Sequence, residues 1–143
     1  MHTRTLLLLL LLLLGLIAGL ATPAAARAQT PADQLRQYEA AARTEDPAWA
    51  GFSAARGERF FQATHGGDWS CATCHQRTPT AAGSHVVTRK PIQPLAPAAN
   101  PQRFTRPDKT EKWFTRNCND VLRRPCTAGE KGDVLAYLLA LER

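Results

Sequence analysis

Residues 71–75 read CATCH, which is the attachment pattern of a c-type haem. In this pattern the thiols of Cys71 and Cys74 form thioether bonds to the haem, and the imidazole of His75 is placed to bind the iron as the proximal ligand. The chain must then fold around a large apolar disc that is fixed to one short stretch of backbone. The motif predicts one covalently bound haem c.

The first 28 residues have the features of a secretory signal peptide. A basic lead with Arg4 precedes nine consecutive leucines at positions 6–14, and small residues follow up to the A-R-A sequence at 26–28. The apolar stretch is short for a membrane anchor, so we expect cleavage before Gln29. The mature chain is then predicted to be periplasmic, with no stable membrane span after cleavage.

Residues 29–143 have the length of a single domain with one hydrophobic core, here a c-type cytochrome domain. Without Arg4 and Arg27, this part of the chain holds 16 Lys and Arg against 12 Asp and Glu, a formal charge of +4. Such mild basicity favours acidic partners. The arginines are dispersed and form no stripe with aromatic residues, so we expect no binding to nucleic acid.

Two cysteines, Cys118 and Cys126, lie outside the haem motif. Paired thiols oxidise in an exported protein, so a disulfide between them is expected. Its short loop limits the gain in stability to about 2.5 kcal/mol. A zinc site made of all four cysteines and His75 is the competing interpretation, but seven residues separate the second pair and export disfavours such a site.

Four helices are predicted around the motif from apolar periodicity and capping signals. The first begins near Thr30, and the second covers residues 53–63. The third has capping-box spacing over residues 108–111 and ends near Cys118. The fourth begins at the T-x-x-E box of Thr127. One face of that last helix is predicted to carry Val134, Leu135, Leu138 and Leu139.

Between the second and third helices, residues 78–107 contain six prolines, which remove backbone donors and disfavour helix in the preceding residues. This pattern predicts a long, stiff, irregular loop. Loops of such length in a compact domain are usually functional, and we expect this one to cover the haem plane.

The order of these elements resembles that of class I cytochromes c, in which the first and last helices cross near a glycine and aromatic residues. Four residues suit such a crossing: Gly57, Phe60, Phe61 and Tyr137. Ordinary core packing of the same residues is the alternative. Either interpretation gives an all-α fold, here a class I cytochrome c-like fold with an extra N-terminal helix and the Pro-rich haem-covering loop.

The distal position of the iron has candidate ligands of unequal quality. The only methionine, Met1, lies in the signal peptide. His65 is too close to Cys71 along the chain to cross to the opposite haem face, whereas His85 has the necessary freedom, although a solvated loop histidine is its simpler interpretation. Four lysines must each lose a proton before ligating: Lys90, Lys109, Lys112 and Lys131. By spacing alone, Asn117 is an ordinary asparagine near a helix end.

The C-terminal sequence, from EKWFTRNC at 111–118 through RPCTAGEKGD at 124–133, resembles the sphaeroides haem protein family. Three upstream runs are similar to that family as well: PLAP at 94–97, NP at 100–101 and RFT at 103–105. The resemblance covers most of the mature chain. Its R-N-C and C-T-x-x-E-K elements are far more specific than CxxCH.

The resemblance implies a role for each matching residue. His75 corresponds to the proximal ligand, Asn117 corresponds to the distal ligand of the oxidised state, and Cys118 and Cys126 correspond to the disulfide. An amide oxygen is a hard, neutral donor that suits ferric iron and loses affinity when the iron is reduced. Release of Asn117 on reduction would open the site to O2, NO or CO.

Two functions follow from this resemblance. The first is an electron carrier, for which the family implies a di-haem cytochrome c and a membrane b-type cytochrome as redox partners. The second is a gas-binding haem protein or a small oxidase or peroxidase. The sequence shows no evident acid or base for the distal side, which favours the electron carrier over an enzyme.

Overall fold

A computed structural model describes residues 28–141, so the predicted signal peptide lies outside the described residues except for Ala28. Five helices occur in this range: α1 Pro31–Glu45, α2 Ala54–Gln62, α3 Cys71–His75, α4 Pro107–Leu122 and α5 Ala128–Ala140. Two short strands, β1 Gly83–Ser84 and β2 Pro91–Ile92, pair antiparallel. The predicted all-α fold is confirmed. Within 28–141, no helix is both long and apolar enough to cross a membrane.

Side-chain caps begin three of the long helices. At α1, the Thr30 hydroxyl accepts from the Asp33 amide, and the Asp33 carboxylate accepts from the Thr30 amide. Thr127 and Glu130 form the same reciprocal pair at the start of α5, as the sequence predicts. The Ser53 hydroxyl caps α2. Each cap satisfies helix donors that would otherwise have no partner, so these starts are encoded locally.

Helix α4 differs from its prediction at both ends. It begins at Pro107, two residues before the start that a cap at Asp108 predicts, and makes no side-chain cap. The capping box over residues 108–111 is therefore wrong, because Glu111 is turned toward Tyr38 and Lys131 on two other helices. The helix also continues past Cys118 to Leu122, where a residue in the left-handed region ends it.

The hydrophobic core lies where α2 crosses α5. Gly57 brings the two backbones together, since a Cβ atom at this position would lie 1.9 Å from the Asp133 carbonyl oxygen. The core cluster consists of Phe61, Val134, Tyr137 and Leu138. The predicted glycine and aromatic crossing is thus present. The prediction that Leu139 belongs to the buried face of α5 is wrong, because this residue is 38% exposed, at the edge of that face.

The Pro-rich loop folds back on itself more tightly than the sequence predicts. The carbonyl of the fully buried Pro79 accepts hydrogen bonds from the amides of Leu95 and Ala96, at 2.9 and 3.0 Å. Leu95 and Phe104 from the same loop pack against the core cluster. Between these anchors, β1 and β2 form a small hairpin whose two-residue strands are too short to leave an alternating pattern in the sequence.

Candidate haem site

The haem motif forms its own single helical turn, α3. Ser70 and Thr73 make a reciprocal capping box at its start, with the Ser70 hydroxyl accepting from the Thr73 amide at 3.2 Å. This cap holds the turn in place and so fixes the spacing of Cys71, Cys74 and His75. Three of the four predicted haem-binding residues therefore lie together on one short element.

The four cysteines divide into two pairs, as the sequence suggests. Cys118 and Cys126 are joined by a disulfide with a Cα–Cα distance of 5.7 Å, whereas Cys71 and Cys74 are free. Burial raises the pKa of the Cys71 thiol to about 11, so this thiol is protonated at neutral pH. Cys71 also packs against the core cluster, which brings the haem motif beside the crossing of α2 and α5.

His75 is the neutral imidazole that an iron ligand requires. Burial, and secondarily the charge of Arg103, lowers its pKa to about 4. Its ring lies 6.4 Å from the Phe61 ring, measured between centroids. Arg103 is held in the loop by two carbonyls, donating to Pro94 at 2.9 Å and to Gln93 at 2.7 Å.

These features fit a c-type haem. Two unpaired thiols sit three residues apart on one helical turn, and an uncharged imidazole follows at once. Cys71 and Cys74 are the residues that would hold the porphyrin, and His75 is the residue that would ligate the iron. When bound, the haem would supply one-electron chemistry.

The β1–β2 hairpin contacts the haem motif through Cys74, a relationship that sequence reasoning missed. The Val86 amide donates a hydrogen bond to the Cys74 sulfur at 3.4 Å. Gly83 lies against the backbone of the motif, since a Cβ atom there would be 2.0 Å from the Cys74 carbonyl oxygen. In the sequence, only the glycine at position 83 indicates this close approach, because a residue with a side chain would not fit there.

Both candidate histidines make local hydrogen bonds, His65 through Nε2 and His85 through Nδ1. His65 lies against α2, with Nε2 2.8 Å from the Phe60 carbonyl and its ring 4.4 Å from the Phe60 ring. His85 serves as a turn cap, because its Nδ1 accepts from the amides of Val87 and Thr88, each at 3.2 Å. An acceptor role at Nδ1 places the ring proton on Nε2, so neither nitrogen of His85 offers a lone pair to a metal.

The lysine candidates are exposed or engaged. Lys90, Lys109 and Lys112 are solvent-exposed. Lys131 is half-buried and its Nζ binds the Glu111 carboxylate at 2.6 Å.

Asn117 lies on α4, half-buried, one turn beyond Phe114. The Phe114 side chain packs against the same core cluster as Cys71, so α4 and the haem motif border a common region. The following residue, Cys118, is buried and tied to Cys126. Within residues 28–141, the Asn117 side chain forms no hydrogen bond.

Comparison with known proteins identifies the family of this chain. The family profile described as a domain of unknown function (DUF1924) matches residues 47–138. The cytochrome c-type protein SHP of Cereibacter sphaeroides is 47% identical over 129 residues, which span 87% of this chain and 95% of that protein. The chain belongs to the sphaeroides haem protein family. It is accordingly a c-type cytochrome, and its cofactor is haem c.

Solved structures support the fold of this sphaeroides haem protein family member. The structure of oxidised SHP, described as an oxygen-binding cytochrome c, matches with a TM-score of 0.71 and 44% identity over 80% of this chain and all of that chain. Oxidised cytochrome c'' of Methylophilus methylotrophus matches with a TM-score of 0.70 and 36% identity, over 79% of this chain and 95% of that chain. A solution structure of cytochrome c'', which addresses haem-ligand detachment, has a TM-score of 0.68 and 36% identity over 79% of this chain and 94% of that chain.

Proposed function

We propose that this chain is a periplasmic, mono-haem c-type cytochrome that carries electrons and exchanges its distal ligand with redox state. One haem is bound covalently through Cys71 and Cys74, with His75 as the proximal ligand. Asn117 is the distal ligand of the oxidised protein and is released on reduction. The partners are redox proteins, among them a di-haem cytochrome c and a membrane b-type cytochrome.

The availability of the side chains carries the assignment of Asn117. His65 and His85 both use ring nitrogens in local hydrogen bonds, and Lys131 is bound to Glu111. Asn117 is half-buried and makes no side-chain hydrogen bond within the described part of the chain. Because no group of these described residues holds the Asn117 amide oxygen, this oxygen is available to bind an iron.

The chemistry of an amide ligand supports release on reduction. The Asn117 oxygen is a hard, neutral donor whose affinity falls as the iron becomes softer. Its departure leaves a position that a diatomic ligand can take. The oxygen binding described for related SHP and the ligand detachment addressed in cytochrome c'' are in keeping with this behaviour.

The same oxygen binding favours a second candidate, a gas-binding haem protein or a small oxidase or peroxidase. Oxidase or peroxidase chemistry needs a side chain that moves protons on the distal side. Two carboxylates of α4 lie within six residues of Asn117: Asp120 is exposed, and Glu111 is bound to Tyr38 and Lys131. This engagement makes the electron carrier the better-supported function.

The first test is the absorption spectrum of the dithionite-reduced holoprotein before and after addition of CO. We expect a prompt shift, because the reduced iron has lost Asn117. An unchanged spectrum would mean a closed, six-coordinate haem and would contradict ligand release.

The matched variants are Asn117→Ala and Asn119→Ala on the same helix. Asn119 is exposed, so its truncation leaves the haem region untouched. We expect Asn117→Ala to make the ferric haem high-spin and to leave the fold intact, whereas Asn119→Ala stays low-spin. A low-spin ferric haem in Asn117→Ala would remove Asn117 from the distal position.

A further inference from the structure

The excess of basic over acidic residues lies in the segment around the haem motif. Residues 69–107 contain five Lys and Arg and not one Asp or Glu. The rest of the chain from residue 29 holds 11 Lys and Arg against 12 Asp and Glu. The net charge of +4 therefore comes from the segment that includes α3 and the Pro-rich loop. An acidic protein would approach this segment first, since opposite charge steers diffusional encounter.

Within that segment, residues 85–90 form the exposed tip of the β1–β2 hairpin. Val87 is 64% exposed, and Thr88, Arg89 and Lys90 are exposed beside it. Neither Arg89 nor Lys90 forms an ion pair with any residue in 28–141. An exposed apolar side chain next to two unpaired cations is a surface suited to an acidic partner.

The hairpin tip is also held rigidly. The His85 amide donates to the Lys90 carbonyl at 2.9 Å, and the Arg89 amide donates to the His85 carbonyl at 2.9 Å. The His85 ring accepts two further amides of the turn. A surface that is ordered before binding loses little conformational entropy when a partner docks.

The base of the hairpin reaches one of the haem-binding residues. The Val86 amide bonds to the Cys74 sulfur, and Gly83 rests on the Cys74 carbonyl. Val86 is thus the residue that links the exposed Val87 to the sulfur predicted to attach the haem. A partner docked on the tip would be connected to the cofactor by a short path of covalent bonds and the hydrogen bond from Val86 to Cys74.

We propose that the hairpin tip, residues 85–90, is the docking surface for an acidic electron-transfer protein. The inference rests on the proposed electron-carrier function and adds the surface and the partner's charge. One electron leaves the reduced centre of the partner and reduces the ferric haem of this chain, and no atom is transferred. Arg89 and Lys90 attract the partner, and Val87 is covered when it docks.

The test measures how fast a small acidic donor, a reduced plant-type [2Fe–2S] ferredoxin, reduces the ferric holoprotein at low and at high ionic strength. The charge-reversal variant is Arg89→Glu with Lys90→Glu. The matched control is Lys109→Glu with Lys112→Glu, which changes the net charge equally at two exposed cations outside residues 69–107. Far-UV circular dichroism verifies that each variant is folded.

At low ionic strength, we expect the second-order rate constant of reduction to be about tenfold lower in the hairpin variant than in the wild type, and much less reduced in the control. Added salt should remove this difference, because it screens the charges. Equal losses in the two variants would overturn the docking surface, because only net charge would then matter. The CO experiment is independent of these rates. A normal CO shift with equal losses contradicts the docking surface alone, whereas no CO shift with a loss confined to the hairpin variant contradicts ligand release and leaves the docking surface standing.

Discussion

Gly57 on α2 lies directly against the backbone of Asp133 on α5, with room for no side chain between them. The Asp133 carboxylate strengthens the same contact, because it accepts from the Ser53 amide at 2.8 Å and binds the Arg56 guanidinium. One residue of α5 therefore fixes both the crossing and the start of α2. Since α2 leads into the haem motif, this crossing also positions α3.

Substituting Gly57→Ala should be strongly destabilising. The added methyl meets a carbonyl oxygen and carbon at 1.9 and 2.4 Å, and these backbone atoms cannot move without parting the helices. We expect the free energy of unfolding to fall by about 3 kcal/mol or more, measured by urea denaturation of the holoprotein. Arg59→Ala, at an exposed position of the same helix, should stay within about 0.5 kcal/mol of wild type. Equal midpoints for the two variants would contradict the tight crossing.

The sequence predicts those parts of the fold whose causes are local. The Thr30 and Thr127 caps are formed by residues three apart, so their helices could be read directly. The start of α4 could not, because Glu111 is drawn away by Tyr38, 73 residues earlier in the chain. The exposure of Leu139 was also missed, since apolar periodicity does not show how wide the buried face of a helix is.

Tyr38 should make stability sensitive to alkaline pH. Its hydroxyl donates to Glu111 at 2.5 Å, and burial, followed by that carboxylate, raises the pKa of Tyr38 far above its ordinary value of 10.0. Above pH 10 the unfolded chain loses this proton and the folded chain keeps it, so stability falls by about 1.4 kcal/mol per pH unit. Urea denaturation at pH 9, 10 and 11 measures the slope. Tyr38→Phe should have a shallower slope above pH 10, and equal slopes would show that Tyr38 titrates normally.

In the candidate site too, some residues can be predicted from local sequence and others cannot. Cys71, Cys74 and His75 follow from one contiguous motif, whereas Asn117 was identified only through its resemblance to a family. No local signal marks an asparagine as an iron ligand, because the same residue is common near helix ends. The contact between Val86 and Cys74 depends on a loop closure over 12 residues, which the prolines of that loop do not specify.

The disulfide should position Asn117 as well as stabilise the fold. Cys118 is buried directly after Asn117, and its bond to Cys126 ties α4 to the segment that begins α5. Replacing both cysteines by serine should cost at most about 2.5 kcal/mol. We also expect a shifted midpoint potential and an altered ferric spectrum. Thr30→Ala, which removes the α1 cap at a cost of about 1 kcal/mol, should leave potential and spectrum unchanged. A double serine variant with wild-type spectra would limit the disulfide to a stabilising role.

His85 should act on the hairpin and not on the iron. Its Nδ1 accepts from the Val87 and Thr88 amides, so His85→Ala leaves both without this acceptor. The lost bonds are worth about 1 kcal/mol each, and hydrogen exchange at these two amides should accelerate at least fivefold. His85→Asn supplies a short acceptor that favours the same turn and should restore part of the protection. The ferric spectrum should be the same in both variants, because Asn117 remains in place. A high-spin ferric haem in both would instead make His85 the distal ligand, with its turn rearranged to reach the iron.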